Sequence, residues 1–180
     1  RLLIDGEHLS LMDQLAAVHS KVDEMNGDVG TTMKEILSCE DYHSRLSKLA
    51  SHTLNPQPGF EHVAAAIIAY YTAFDTASSA FDDAVNGLAE LDVHARRGFN
   101  LFMGRAQCAT CHFPPHFGGI KPPYSGNEFE VLGVPDDSTA TRLSPDPGRY
   151  RQHAVPEMRN AFRTGSLRNV ARTKPYMHNG

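Results

Sequence analysis

The stretch C-A-T-C-H at residues 108–112 is a C-x-x-C-H motif, and it follows a segment, 92–103, that has the apolar spacing of a helix. On one helical turn, the thiols of Cys108 and Cys111 can add to the two vinyl groups of a haem, and His112 then presents its imidazole to the iron. Redox dithiols and zinc sites use the same cysteine spacing. A thioredoxin-type dithiol needs a βαβ setting, however, and a zinc site needs a second pair of ligands. The motif therefore predicts covalently bound haem c.

The composition excludes several classes of protein. The chain has 180 residues, of which 41% are hydrophobic and 21% charged, and its net charge is −4. These values are typical of a folded globular protein. The longest apolar run, 63–71, is about half as long as a membrane-spanning helix. The 17 Lys and Arg residues form no cluster that could follow a nucleic-acid backbone, and three cysteines cannot make a fully paired intrachain disulfide framework.

Apolar periodicity and capping residues predict a helical chain. Helices are expected at 9–25, from a cap at Thr31 or Thr32 to about residue 50, at 60–74, and at 92–103 after an Asp92 cap. The segment 60–74 is apolar almost all round and is therefore expected to be buried. Eight of the eleven prolines lie in 114–156, which predicts a long irregular segment wrapped over a rigid ligand. The predicted fold class is all-α, a c-type cytochrome domain with long Pro/Gly-rich loops.

The sequence leaves open the sixth ligand of the iron. Small c-type cytochromes place a loop Met about sixty residues after the motif, which makes Met177 a candidate and Met158 a second one. Packing is the alternative role of both. His116 is expected near the haem edge without binding iron, and the remaining histidines are expected to be solvated or hydrogen-bonded. Cys39 is expected to be a small buried side chain inside a helix.

Several segments together resemble the bacterial di-haem cytochrome c peroxidase family, which includes the MauG-type enzymes. The most specific segment is 162–180, which resembles the family stretch F-K-T-P-S-L-R-N-V-A-L-T-A-P-Y-M-H-D-G. Shorter matches are G-F-N-L-F-M-G at 98–104, S-A-F-D at 79–82, D-G at 5–6 and D-E-M at 23–25. The resemblance therefore extends over essentially the whole chain.

The resemblance implies two cytochrome c domains in the intact protein, each with its own haem c. Residues 1–77 would be the C-terminal part of the first, peroxidatic domain, and 78–180 the second, electron-transfer domain, truncated at its C-terminus. The implied function is reduction of hydrogen peroxide to water, with electrons from a small c-type cytochrome or a copper protein. These electrons would enter through the haem on Cys108, Cys111 and His112. Because covalent haem attachment takes place outside the cytoplasm, a periplasmic or otherwise extracytoplasmic location is implied. A homodimer is one assembly that fits the resemblance.

Other functions stay open at this point. A MauG-type oxidase, which modifies a partner protein, is the alternative within the family, and a Tyr as distal ligand would favour it. A single-haem electron-transfer cytochrome without catalysis is the alternative from a different class. A structural or regulatory zinc module is a third, and a haemochrome spectrum typical of thioether-linked haem would exclude it.

Individual residues take roles from the resemblance. Glu24 aligns with the glutamate that acts as acid and base beside the open iron, where a carboxylate can move a proton between peroxide oxygens. Thr173 and Pro175 align with residues whose backbone carbonyls help bind a calcium ion. Arg168 is expected near the haem propionates. In the family the distal ligand comes some fifteen residues after the position of Met177, which leaves Met177 a weak candidate for the sixth ligand.

The chain also departs from the family pattern. The family has two C-x-x-C-H motifs and this chain has one, so the other is expected upstream of Arg1. Ile4 stands where the family often has a tryptophan between the haems, and the chain contains no Trp. Asp23 places a second carboxylate beside the Glu24 carboxylate, and Gly165 replaces the proline of T-P-S-L-R-N. Because Gly180 ends inside the hallmark stretch, truncation at both ends is the preferred expectation.

Overall fold

The computed structural model describes residues 2–74, 79–123, 126 and 128–180. Those residues form six α-helices, a small two-stranded sheet and several short 3₁₀ turns. The helices are α1 (Leu11–Ser20), α2 (Val29–Ser38), α3 (Glu40–Ala50), α4 (Phe60–Thr72), α5 (Ala80–Val85) and α6 (Val93–Met103), and the strands are β1 (Phe129–Val131) and β2 (Ala161–Arg163). The chain divides into two compact units, one of residues 8–75 and one of residues 1–7 with 76–180. None of the described helices combines the length and apolar character needed to cross a bilayer.

In the unit of residues 8–75, α1 begins and ends at clear local signals. Ser10 caps its N-terminus, because the hydroxyl oxygen accepts a hydrogen bond from the Asp13 N–H at 3.0 Å. The helix ends at Ser20, five residues before the predicted end, where Lys21 takes an extended backbone conformation. The Lys21 N–H still donates to the Ala17 carbonyl at 2.8 Å, so the last turn is hydrogen-bonded before the chain leaves the helix.

The single helix predicted from Thr31 or Thr32 to residue 50 was wrong. The structure has two helices here, and Asp28 caps the first by accepting hydrogen bonds from the Thr31 N–H at 2.8 Å and the Thr31 hydroxyl at 2.9 Å. Cys39 separates α2 from α3 because its backbone is extended, with φ −87° and ψ 114°. Cys39 is also exposed, contrary to the expectation that it is buried.

The helix α4 matches its predicted range closely, but it is not buried all round. Ala64 is fully buried, whereas Tyr70 and Tyr71 are 64% and 61% exposed. The buried His62 ties the start of the helix to the preceding loop: its Nδ1 accepts from the Gly59 N–H at 3.1 Å, and its Nε2 is 3.0 Å from the Thr53 hydroxyl. The expectation that the histidines outside the motif are solvated or hydrogen-bonded is confirmed for His62.

In the other unit, α6 confirms the helix predicted after Asp92. The Asp92 carboxylate accepts hydrogen bonds from the N–H groups of His94 and Ala95, at 2.7 and 3.3 Å. The short α5 was not predicted. Its N-terminus is a capping box, in which the Ser79 hydroxyl and the Asp82 carboxylate each accept from the backbone N–H of the other residue.

The segment 114–156 contains more regular structure than expected, because β1 lies within it and pairs antiparallel with β2. The Arg163 N–H donates to the Ile4 carbonyl at 2.7 Å, so the start of the chain runs beside this sheet. The buried Arg149 side chain donates through Nη1 to the carbonyls of Asp5 and Gly6, at 3.0 and 2.7 Å. Gly6 has φ +70° and touches the Phe129 ring, which is the close approach that requires glycine there.

Candidate functional site

The C-x-x-C-H motif forms one tight turn shortly after α6. Residues Cys108–Thr110 are a 3₁₀ turn, and the His112 N–H donates to the Cys108 carbonyl at 3.0 Å. Cys108 and Cys111 have free thiols and are half-buried. One turn therefore presents two thiols and an imidazole, which are the groups that predict covalent haem attachment.

A backbone carbonyl fixes the imidazole ring of His112. Its Nδ1 lies 3.0 Å from the carbonyl oxygen of Phe117, and because a carbonyl only accepts, Nδ1 is the donor. The proton therefore sits on Nδ1, and Nε2 carries the lone pair. Among the described residues, no group hydrogen-bonds to Nε2. A donor bond at one ring nitrogen and a free lone pair at the other is the arrangement of a metal-binding histidine, so this donor set fits haem c.

Arg168, which was expected near a haem propionate, contacts a carboxylate and a loop carbonyl of its own unit. Its Nη1 and Nη2 donate to the Asp82 carboxylate at 2.8 and 2.6 Å, and its Nε and Nη2 donate to the Pro115 carbonyl at 3.0 and 2.7 Å. The side chains of Arg168 and Asp82 are 12% and 11% exposed. The Arg168 guanidinium, followed by Ser79, holds the pKa of the Asp82 carboxyl well below its ordinary value. The propionate contact stays a prediction.

The unit of residues 8–75 contains an apolar cavity of about 500 Å³. Its wall is formed by side chains of α1, α2 and α4, including Leu15, Val18, Ile36, Val63, Ile67 and Ile68. A few polar side chains interrupt this wall, among them Gln14, Thr32 and the buried His19. Cofactor sites are typically cavities of about this size with mostly apolar walls and few polar groups. The chemistry of the wall therefore fits an apolar ring such as a porphyrin.

Glu24 lies in the exposed turn that follows α1. Its N–H donates to the Lys21 carbonyl at 3.1 Å, and the next residue, Met25, lines the cavity. The Met25 N–H donates to the Val18 carbonyl at 3.1 Å, which closes the turn against the end of the helix. The structure thus places the predicted acid/base residue beside a residue of the cavity wall.

Four further predicted site residues lie in exposed positions, whereas Met158, the second candidate for the sixth ligand, is half-buried. Thr173 and Pro175 are exposed, close to the end of the chain, and their calcium role stays a prediction. Met177 is 67% exposed and has φ +62°. His116 is exposed as well, and its carbonyl accepts from the Ser166 hydroxyl at 2.6 Å.

The model of the di-haem cytochrome c peroxidase family, which includes MauG, matches residues 1–90, half of the chain. This chain belongs to the di-haem cytochrome c peroxidase family. The resemblance stated from the sequence is therefore confirmed, and haem c is the cofactor that family membership implies.

Individual relatives in this family agree with that result. The chain is 29% identical to the methylamine utilization protein MauG of Methylorubrum extorquens, over 98% of the chain and 46% of the relative. It is 34% identical to the cytochrome c551 peroxidase of Pseudomonas aeruginosa, over 67% of the chain and 33% of the relative. A crystal structure of a MauG-like protein associated with microbial copper homeostasis superimposes with a TM-score of 0.79 at 25% identity, covering 94% of this chain and 51% of that one. The chain thus spans about half the length of several relatives that it matches, and its mostly helical structure agrees with the fold of the MauG-like protein.

Sequence reasoning missed three features of this family member. It did not find the apolar cavity, because the wall is drawn from three separate helices. It missed the Phe117 carbonyl, since a backbone acceptor has no signature in a sequence. It also missed the pairing of Asp82 with Arg168, although both residues lie in segments, 79–82 and 162–180, that carry the family resemblance.

Proposed function

We propose that the intact protein is a di-haem peroxidase that reduces hydrogen peroxide to two molecules of water, taking up two electrons and two protons. The observation that carries this proposal is the His112 imidazole, held at Nδ1 by the Phe117 carbonyl beside two half-buried thiols. Haem c, when bound, supplies the redox-active iron. Cys108 and Cys111 attach it, and His112 binds the iron through Nε2.

Electrons enter this unit from a small redox protein, either a c-type cytochrome or a copper protein. The protein works in the periplasm or another extracytoplasmic space, because haem is attached covalently outside the cytoplasm. The family relationship and the names of the peroxidase relatives support this assignment. Calcium bound by the carbonyls of Thr173 and Pro175 is part of the same proposal, since carbonyl oxygens suit this hard cation.

Glu24 is the acid/base residue of the reaction. A carboxylate beside the reacting oxygens can take a proton from one peroxide oxygen and deliver it to the other, which leaves as water. The position of Glu24, directly before Met25 of the cavity wall, supports this role. The cavity belongs to the first, peroxidatic domain and is the part of that domain that borders its haem. The apolar wall limits the water that reaches the reacting oxygens.

The test is peroxide turnover by Glu24→Gln in the intact holoprotein, with a reduced small cytochrome c as donor. Loss of a positioned acid/base group lowers turnover by about 10² to 10⁴, and the haem spectra should not change. Glu40→Gln is the matched control, because Glu40 is also an exposed glutamate of the same unit, and neither Glu40 nor its neighbours Cys39 and Asp41 line the cavity. Turnover within a few-fold of the parent protein in Glu24→Gln would reject the acid/base role.

A second candidate is a MauG-type oxidase that uses peroxide to modify a partner protein. The match to the Methylorubrum extorquens protein, which extends over 98% of this chain, favours it. The two functions differ in their products. A peroxidase oxidises its small donor in proportion to the peroxide consumed, whereas an oxidase of this type oxidises side chains of its protein substrate. Stoichiometric oxidation of the small cytochrome, two per peroxide, would decide for the peroxidase.

A further inference from the structure

The loop after the motif has a backbone that needs outside support. Phe117, whose carbonyl accepts the His112 Nδ1–H bond, has φ +52°, a left-handed conformation that is unfavourable for a residue with a side chain. Phe113 and Gly118 form an isolated antiparallel bridge that closes the loop. The position of the Phe117 carbonyl, and with it the His112 ring, therefore depends on contacts that hold the loop in this shape.

Three consecutive residues, 166–168, hold three consecutive carbonyls of this loop. The Ser166 hydroxyl donates to the His116 carbonyl at 2.6 Å, and the Leu167 N–H donates to the Phe117 carbonyl at 3.0 Å. The Arg168 guanidinium donates twice to the Pro115 carbonyl. The Phe117 carbonyl thus accepts from His112 and from Leu167 together, and its direction is fixed by both.

Asp82 in turn fixes the guanidinium of Arg168. The two groups form a bidentate pair in which two N–H donors meet two carboxylate oxygens, and both side chains are close to nine-tenths buried. A planar guanidinium in such a pair has one orientation, which directs Nε–H and the second N–H of Nη2 at the Pro115 carbonyl. The Ser79 N–H and hydroxyl also donate to Asp82, which anchors the carboxylate to the start of α5.

We propose that Asp82 and Arg168 are a positioning pair for the axial histidine: through the backbone of Pro115, His116 and Phe117, they hold the carbonyl that orients His112 and thereby set the reduction potential of its haem. This inference rests on the part of the proposed function in which His112 binds iron, and not on peroxide reduction. A strong Nδ1–H bond to a carbonyl makes the imidazole a better electron donor, which stabilises ferric iron. When the carbonyl is less well held, that bond weakens and the potential rises.

The experiment compares the midpoint potential of this haem in the intact holoprotein and in the variants Asp82→Asn and Arg168→Lys. Both variants should raise the potential, so that the ferrous-to-ferric ratio at a fixed applied potential increases about tenfold, which corresponds to about 59 mV for one electron. Asp83→Asn is the matched control: it removes the same charge one residue along α5, at an exposed position, and should leave the potential unchanged. The low-spin electron paramagnetic resonance signal should shift in Asp82→Asn and Arg168→Lys and not in the control.

A purely structural role of the pair predicts a different result. Lower thermal stability with an unchanged potential and an unchanged low-spin signal in both variants would overturn the proposal. Ser166→Ala decides the question if the other variants fold poorly, because it removes one hydrogen bond to the loop and exposes no charge. It should raise the potential by a smaller amount, and no shift in Ser166→Ala would again overturn the proposal. The reduction potential is measured without peroxide. If the variants shift the potential but the parent protein shows no peroxide turnover, the proposed function is rejected and this inference is supported.

Discussion

Residues 8–74 pack four helices side chain against side chain around an apolar cavity, whereas the described residues between 79 and 180 hold long loops through hydrogen bonds to backbone carbonyls. In the first region the fully buried residues include Ala50 and Ala64, which let the helices approach closely. In the second, donors reach across the sequence: Arg168 to Pro115, and Ser166 to His116. The first region surrounds its cavity with apolar side chains. The second also buries apolar side chains, among them Val134 and Phe162, and adds directed polar contacts around the C-x-x-C-H turn.

This difference sets how each region should respond to substitution. Apolar packing tolerates the loss of one polar group but not a change of volume, because interiors are packed as densely as crystals. A network of hydrogen bonds to backbone carbonyls tolerates a change in the size of a neighbouring side chain. It does not tolerate the loss of a donor group that bonds to several acceptors. A substitution that changes side-chain volume should therefore affect the first region most, and a substitution that removes a hydrogen-bonding group should affect the second region most.

The largest effect is expected for His112→Gly, in the region of directed contacts. The haem should stay attached through Cys108 and Cys111, but the low-spin signals that His112 provides should disappear almost completely, because glycine supplies no axial nitrogen. Visible absorption and electron paramagnetic resonance of the holoprotein measure this change, and added imidazole should restore part of the signal.

The control for this first prediction is His153→Gly, which removes an exposed histidine of the same unit. Its spectra should match those of the parent protein. If the low-spin signals survive in His112→Gly, another residue binds the iron, and the hydrogen bonds around the C-x-x-C-H turn do not position the iron ligand.

A smaller effect is expected for Ala64→Leu, in the region of apolar packing. Ala64 is fully buried in α4, so the added side-chain carbons overpack the contact and should lower the free energy of unfolding by about 1–3 kcal/mol. Ala65→Leu makes the same change at the next, exposed position and should cost almost nothing. Denaturant unfolding followed by helical circular dichroism checks both. Equal stability of the two variants would show that close helix packing at Ala64 is not what stabilises this unit.

The contrast also explains which parts of the structure the sequence could predict. The helices α4 and α6 were predicted nearly to the residue, because apolar spacing and a capping signal such as Asp92 are local. The break at Cys39 was missed because both sides of it have good helical spacing, and only the backbone geometry separates α2 from α3.

In the candidate site, the motif itself identified Cys108, Cys111 and His112, because three ligating groups within five residues are a local signal. The acceptor for His112 could not be predicted, since the Phe117 carbonyl depends on a loop shape set by residues 166–168. The pairing of Asp82 with Arg168 joins residues far apart in sequence, which no local pattern encodes.

The smallest effect is expected in the pH dependence of stability, where Asp82 is the group to follow. Its folded-state pKa is held below the ordinary value of about 3.9, first by the Arg168 guanidinium and then by Ser79. A carboxyl of this kind stabilises the folded state at pH values above its unfolded pKa, and this contribution is lost as the pH falls towards its folded pKa. The difference in denaturation midpoint between the parent protein and Asp82→Asn should therefore be constant above about pH 5 and shrink below about pH 4. For Asp83→Asn, the difference in denaturation midpoint from the parent protein should not shrink at low pH, because Arg168 pairs with Asp82 and not with Asp83. If the difference in denaturation midpoint between the parent protein and Asp82→Asn stayed constant down to acid pH, Arg168 would not be holding the Asp82 carboxyl ionised. His112 would then be the remaining test of the directed contacts in this region.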